Sequence, residues 1–153
     1  MSAEYKLTLT KPVLEEYYKY YFSLHKKARK KPIEHPYHPS INVWFIMARP
    51  QMNALKQKWK DFCIWWIDSL GYNNLNLQKF EMKFKTFMPT KRRIDPDNTV
   101  PKFILDGFSE SGFIVDDDGN HLLSLILQTG YDKKNPRTEI TVRVLEEKEG
   151  EII

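Results

Sequence analysis

The chain has 153 residues, of which 41% are hydrophobic and 14% aromatic, and its formal net charge is +4. This composition supplies one domain core and excludes a disordered tail, while the lone Cys63 excludes a disulfide scaffold and is most simply a core residue. No apolar run approaches the roughly 18 residues that span a bilayer, and the N-terminus lacks the apolar stretch of a signal peptide. We therefore expect a single domain over residues 1–153, cytoplasmic and without a membrane partner.

The charge is distributed unevenly along the chain. Residues 1–100 carry 18 basic and 9 acidic side chains, whereas residues 101–153 carry 6 basic and 11 acidic ones. The basic part indicates a polyanionic partner, because Lys and Arg side chains that neutralise phosphates release counterions. Carboxylates beside such a partner repel it unless a cation lies between them.

The first third of the chain predicts a strand, a helix and a second strand. Residues 5–10 alternate in polarity as in a strand, and apolar residues from Val13 to Ala28 recur at helical spacing. The basic run 26–31 is either the helix end, favoured there by the helix dipole, or a basic arm. Three prolines between residues 32 and 39 mark a loop, and the apolar run Ile41–Ala48 predicts a buried strand.

The middle of the chain predicts a long helix, a strand and a shorter helix. The spacing from Met52 to Leu70 is that of an amphipathic helix, with Gly71 as its stop. Residues 80–86 alternate as in a half-buried strand with a mostly basic outer face. The next helix is expected to start near Thr99, with Pro101 in its first turn, and to end at Gly112.

The last third predicts two strands. Leu122–Thr129 and Thr138–Leu145 have strand character, and the turn signal Asn135-Pro136 indicates an antiparallel hairpin. The acidic tail 146–153 is expected to be frayed and solvated. Together these elements predict a single α+β domain with a mixed β-sheet and helices packed on one side.

Acidic residues around the shorter helix carry the candidate chemistry. Asp95 and Asp97 project to the same side if their segment is extended. Lys102 and Asp106 share one helix face. The chain then returns at residues 116–118, three consecutive aspartates that a compact domain can bring near Asp95 and Asp97.

Converging carboxylates repel one another, and a divalent cation removes that cost. Mg²⁺ fits because it prefers oxygen ligands and bridges carboxylates to phosphates, where it lowers the pKa of a bound water and favours in-line displacement at phosphorus. Lys102 can stabilise charge on the phosphoryl oxygens. Three consecutive basic residues can hold the adjacent backbone phosphates; they are Lys91, Arg92 and Arg93. The combination is typical of a nuclease.

Each of these pieces has an ordinary alternative. Residues 97–99 can be a helix cap, residues 116–120 a polar turn, and Lys102 with Asp106 a surface ion pair worth a few tenths of a kcal/mol. His121 is either a metal contact or an ordinary residue at a strand start. His35 and His38 have no cysteine partners and do not predict a zinc site. Composition and spacing alone leave the nuclease and the ordinary interpretation evenly balanced.

The ordered motif from Arg92 to Asp117 resembles the RusA family of Holliday junction resolvases. The matching residues are Arg92-Arg93, Asp95, Asp97-Asn98, Lys102, Asp106, Gly112-Phe113 and Asp116-Asp117. The resemblance implies a RusA-like fold and a homodimeric, Mg²⁺-dependent endonuclease, with Mn²⁺ as a possible substitute. Such an enzyme makes paired, symmetric nicks in four-way DNA junctions during recombination and repair.

The resemblance also implies roles for individual residues. Asp95, Asp97 and Asp117 match the metal-binding acids, and Asp116 is the assisting neighbour in the Asp-Asp pair. Lys102 matches the catalytic lysine, although three residues rather than the more common two separate it from Asn98. It keeps its place if the additional residue is absorbed before the first helical turn. Residues 11–50 are longer and more aromatic than is usual for the family.

Two other functions are compatible with these residues. One is a branched-DNA-binding protein that has lost catalysis, against which the intact acidic set argues. The other is a nuclease that acts on other branched DNA, such as forks or flaps, and the sequence does not separate it from a junction resolvase.

Overall fold

A computed structural model describes residues 3–145, in which four strands form one mixed sheet. The strands are β1 (Glu4–Leu9), β2 (Phe80–Met88), β3 (Leu122–Tyr131) and β4 (Arg137–Val144), arranged in the order β1-β4-β2-β3. Strand β4 is antiparallel to both β1 and β2, while β2 and β3 are parallel. The predicted α+β fold with a mixed sheet is confirmed.

Within residues 3–145, four α-helices and one 3-10 helix accompany the sheet. They are α1 (Lys11–Leu24), α2 (Ile41–Trp44), α3 (Arg49–Leu70), the 3-10 helix (Pro96–Thr99) and α4 (Lys102–Glu110). Gly71 ends α3 as predicted, because its φ of 77° lies in the left-handed region that favours glycine. Among the described residues, no helix combines the length and the apolar character needed to cross a membrane.

The core lies between one face of the sheet and the long helices. Phe80, Met82 and Phe84 of β2 are buried, whereas Lys83 between them is exposed, as the predicted half-buried strand requires. Helices α3 and α4 pack closely at Gly107, where an added Cβ would lie 2.5 Å from the Cβ of Cys63. Cys63 is therefore a core residue, as expected.

The predicted buried strand over Ile41–Ala48 is wrong. The Ser40 hydroxyl accepts a hydrogen bond from the Asn42 N–H at 3.3 Å and caps the short helix α2. Phe45 and Ile46 follow it with 73% and 82% of their surface exposed. The apolar run thus forms helix α2, which buries Trp44, and an exposed connection to α3 instead of a strand of the sheet.

The predicted C-terminal hairpin is also wrong, although both of its strands exist. Strand β2 lies between β3 and β4, so the connection 132–136 passes over the end of β2. Asp132 organises this connection, since its carboxylate accepts from the N–H groups of Lys134 and Asn135 and lies 2.9 Å from Arg137 Nη1. The turn signal was correct, and the strand pairing was not.

The segment after α1 is attached to the body of the protein. Helix α1 ends at Leu24, four residues before the predicted Ala28, so the basic run 26–31 lies outside the helix. Further on, the Thr138 hydroxyl donates to the Pro36 carbonyl at 2.8 Å, and the Tyr18 hydroxyl donates to the Ile33 carbonyl. The helix-end interpretation of the basic run is therefore wrong. The predicted frayed tail lies outside the described residues.

Candidate active site

The acidic segment before α4 differs from the predicted helix start near Thr99. Val100 precedes Pro101 and has φ −51° and ψ 118°, an extended conformation of the kind that proline imposes on its neighbour. Residues 96–99 therefore form a separate 3-10 helix, and α4 begins at Lys102. The three residues between Asn98 and Lys102 thus all precede the first turn of α4.

This geometry changes the argument for the first two aspartates. Asp95 is extended, with φ −78° and ψ 138°, but Asp97 lies inside the 3-10 helix. The segment from Asp95 to Asp97 is therefore not extended throughout, and the predicted projection of both side chains to the same side of an extended chain is not supported. The segment is fixed locally, because the Asn98 N–H donates to the Asp95 carbonyl at 3.0 Å and the Thr99 hydroxyl donates to the Pro96 carbonyl at 2.6 Å.

His38 caps the N-terminus of α4, a role that sequence reasoning missed. Its Nε2 accepts a hydrogen bond from the Phe103 N–H at 3.0 Å, and its Nδ1 lies 2.8 Å from the Pro39 carbonyl. Burial lowers the pKa of His38 from 6.5 to about 4, so the ring is neutral and Nε2 remains an acceptor. The partners are 65 residues apart in sequence, and no local signal connects them. His38 thus positions the first turn of α4, which carries Lys102.

Lys102 and Asp106 do not form the surface pair that was the ordinary alternative. Lys102 is exposed at the start of α4, whereas the Asp106 side chain is 18% exposed and turns toward α3. There its Oδ2 lies 3.5 Å from the Nζ of Lys56. Across residues 3–145, the ion pair of Asp106 is with Lys56, and Lys102 makes none.

The acidic turn after α4 brings carboxylates together. The pKa of Asp117 is raised, first by burial, then by its hydrogen bond with Asp116 and by the nearby charge of Asp106. The Asp116 carboxylate also accepts the Asp117 N–H at 2.7 Å. Asp106, which sequence reasoning left without a role, therefore contributes to the raised pKa of Asp117.

Asp118 belongs to the following turn. Its Oδ1 accepts the Asn120 N–H at 2.9 Å and lies 4.0 Å from Nε2 of His121. The other ring nitrogen of His121 is 2.6 Å from the Gln78 carbonyl. The polar-turn interpretation thus holds for residues 118–120, and His121 is an ordinary residue at the strand start.

The chemistry of the carboxylates fits a divalent cation. Carboxylate oxygens are the ligands that Mg²⁺ prefers, and a cation would offset the repulsion that raises the pKa of Asp117. Within the described part of the chain, however, no three His, Cys, Asp or Glu side chains are grouped so as to hold a metal ion. Asp106 and Asp116 both raise the pKa of Asp117. Among the described residues, Asp95 and Asp97 do not join these carboxylates in a group that could hold a metal ion. The assignment of metal ligands stays a prediction.

The predicted DNA-contacting residues lie on the surface beside a groove. Lys91, Arg92 and Arg93 are exposed, and Arg93 Nε lies 3.5 Å from the Asp95 carboxylate. Arg92 and Arg93 line a groove of about 840 Å³, to which residues between 30 and 43 also contribute. Lys91 lies over the ring of Tyr131, 5.4 Å from its centroid. Arg93 thus both lines the groove and contacts Asp95 of the acidic segment.

Comparison with known proteins concerns nearly the whole chain. The family model described as endodeoxyribonuclease RusA matches residues 4–143. A search of curated proteins found no match. The family match extends well beyond the motif from Arg92 to Asp117 and confirms the resemblance inferred from the sequence.

Proposed function

Because the chain belongs to the RusA family of endodeoxyribonucleases, we propose that it is a Mg²⁺-dependent enzyme that resolves four-way DNA junctions by paired, symmetric nicks. Family membership indicates a nuclease of the Holliday-junction-resolving type. The metal requirement, the paired cuts, the cytoplasmic location and a role in recombination and repair are parts of the proposal. The observation that carries it is the family match over residues 4–143, and the raised pKa of Asp117 beside the carboxylates of Asp116 and Asp106 supports it.

Asp95, Asp97 and Asp117 would hold the cation, with Asp116 assisting. When bound, Mg²⁺ polarises the scissile phosphate and makes a water molecule a better nucleophile, and Mn²⁺ can replace it. The support for Asp117 is its raised pKa, which reflects a carboxylate whose negative charge is poorly compensated in the metal-free protein. Asp118 is not in the proposed set, because the residues that resemble the family's Asp-Asp pair are Asp116 and Asp117.

Lys102 would stabilise the charge that develops on the phosphoryl oxygens. Its ammonium group is exposed at the N-terminal end of α4 and has no ion-pair partner within residues 3–145, so it is available to a phosphate. The positive end of the helix dipole favours an anion at the same place. The neutral ring of His38 fixes this turn without adding a charge.

Lys91, Arg92 and Arg93 would hold the DNA backbone next to the cut. All three are exposed, and Arg93 contacts Asp95, which places a phosphate-binding group beside a proposed metal ligand. A homodimer would present two such sites related by a two-fold axis, as paired cuts in a four-way junction require.

The direct test uses an end-labelled four-way junction and a matched linear duplex, each with Mg²⁺ or with EDTA. The proposal predicts nicks in the junction only, dependent on Mg²⁺ and absent with Asp97→Asn. Asp68→Asn is the matched control, because Asp68 is exposed on α3 and outside the proposed site. Tight junction binding without cleavage in Mg²⁺ or Mn²⁺ would leave a branched-DNA-binding protein, and equal cleavage of forks or flaps would show a broader substrate range.

A further inference from the structure

Two aromatic rings stack in the wall of the basic groove. The rings of His35 and Tyr37 are parallel to within 1°, with their centroids 5.0 Å apart. Both residues line the groove; His35 is exposed and Tyr37 is half-buried. The pair therefore presents a flat aromatic surface to whatever occupies the groove, and neither ring has a part in the proposed catalysis.

The charge of the groove identifies the kind of occupant. Its cationic lining residues are Lys30, Lys31, Lys58, Arg92 and Arg93. Against them stands one carboxylate in the lining, that of Glu34. Cations that follow a groove and an aromatic surface within it are the combination by which proteins bind a nucleic acid strand with exposed bases.

The aromatic pair is held from both sides. Pro36 lies between His35 and Tyr37 in the sequence. Its carbonyl accepts a hydrogen bond from the Thr138 hydroxyl of β4 at 2.8 Å. Directly after Tyr37, His38 is buried and bonded to the N-terminus of α4. The backbone that carries the rings is thus fixed before a ligand arrives, which reduces the ordering cost of binding.

We propose that this groove holds one DNA strand, with an unstacked base seated on the His35–Tyr37 pair. The inference rests on the proposed function and specifies how the protein distinguishes branched from linear DNA. Inside a linear duplex, both faces of each base are covered by its neighbours. A branch point interrupts this stacking, so it can supply a base to the aromatic pair, whereas uninterrupted duplex contacts only the cations of the groove.

The test measures binding in EDTA, where cleavage does not interfere. A four-way junction with 2-aminopurine at the branch point and a matched linear duplex are titrated with protein, and both anisotropy and base fluorescence are recorded. His35→Ala is expected to weaken junction binding by about 5- to 100-fold, the range for loss of one base–aromatic stack, and to leave duplex binding unchanged. His35→Phe is expected to restore both the affinity and the fluorescence change, because it keeps an aromatic ring.

His25→Ala is the matched control. His25 is also exposed and packs against a tyrosine, Tyr21, with ring centroids 4.4 Å apart and ring planes tilted by 30°, but it does not line the groove. Equal junction affinity for His35→Ala and His25→Ala would overturn the inference, as would an unchanged 2-aminopurine signal. Wild-type protein that cleaves the junction while His35→Ala binds normally would refute this inference alone. Wild-type protein that neither binds nor cleaves the junction would refute the proposed function as well.

Discussion

At the scale of single residues, Asp117 is the proposed metal ligand whose pKa the fold changes. Its pKa is raised by burial and by the carboxylates of Asp116 and Asp106. In the folded protein this group therefore binds its proton more tightly than in the unfolded chain. The stability it contributes is present below its ordinary pKa of 3.8 and is lost as the pH rises through the raised value.

Asp117→Asn is thus expected to raise the melting temperature of the metal-free protein at pH 7 while abolishing cleavage. An increase of about 2 °C is the scale of a small electrostatic gain in a domain of this size. The difference should shrink toward pH 4, where Asp117 is increasingly protonated in the wild type. Melting curves in EDTA at the two pH values measure it, with Asp68→Asn as the control. A variant less stable than wild type at pH 7 would contradict this account of the site.

Lys102 offers a second test at this scale. Lys102→Ala should lower the cleavage rate of bound junction by about 10²- to 10³-fold, the effect of losing one group that stabilises transition-state charge. Junction affinity in EDTA should change by less than about threefold, because one surface lysine contributes little to binding a polyanion. Lys133→Ala, an exposed lysine in the β3–β4 connection, controls for general charge. A parallel loss of affinity and rate would assign Lys102 to DNA binding instead.

At the scale of elements, α4 shows how distant parts of the chain fix the site. Pro101 separates the 3-10 helix from α4, and His38 supplies the acceptor that the N-terminus of α4 lacks locally. The helix that carries Lys102 therefore depends on the segment between α1 and α2. This segment belongs to residues 11–50, the region expected from the sequence to be longer than is usual for the family.

The neutral state of His38 predicts a specific pH dependence of stability. Its pKa falls from 6.5 to about 4 on folding, so the unfolded chain takes up the proton first as the pH falls. Between pH 6.5 and pH 4 the wild type should lose roughly 3 kcal/mol of unfolding free energy through this group.

Urea unfolding of wild type and His38→Gln at several pH values isolates this contribution. Glutamine keeps an acceptor oxygen but does not titrate, so the variant should show a correspondingly flatter profile over that range. His35→Ala, an exposed histidine, is the matched control and should follow the wild type. Identical profiles for wild type and His38→Gln would show that His38 is not held neutral by the fold.

Sequence patterns predicted those elements whose signals are local. The alternation of β2, the apolar spacing of α3 and the stop at Gly71 each depend on neighbouring residues, and each is confirmed. The apolar run Ile41–Ala48 failed because periodicity does not distinguish a buried strand from apolar residues exposed on the surface. The hairpin failed because nothing in the β3–β4 connection reveals that β2 lies between the two strands.

The site was predictable in part for the same reason. The acidic residues, Lys102 and the basic lead-in could be identified because they are close in sequence and match a family motif. The role of His38 and the approach of Asp106 to Asp117 could not, since both depend on tertiary packing. The assignment of individual metal ligands remains a prediction at either level.

At the scale of the whole molecule, the proposed function requires a groove lined by cations, the carboxylates around Asp117 and a homodimer. The basic excess lies in residues 1–100, which supply the cations of the groove, and the acidic excess in residues 101–153 includes these carboxylates. Under the proposed function each chain would supply one active site. Resolution of a four-way junction would then require two chains, both of which cut before the protein dissociates from the junction.

The most direct measurement is cleavage of a supercoiled plasmid that extrudes a cruciform, with a solution mass determined on the same sample. Two nicks in one binding event give linear plasmid, whereas a single nick releases the supercoiling, reabsorbs the cruciform and leaves a nicked circle. The account predicts linear product in Mg²⁺, none in EDTA or with Asp97→Asn, and a mass about twice the 18.3 kDa of one chain. Nicked circles from a monomer would contradict it.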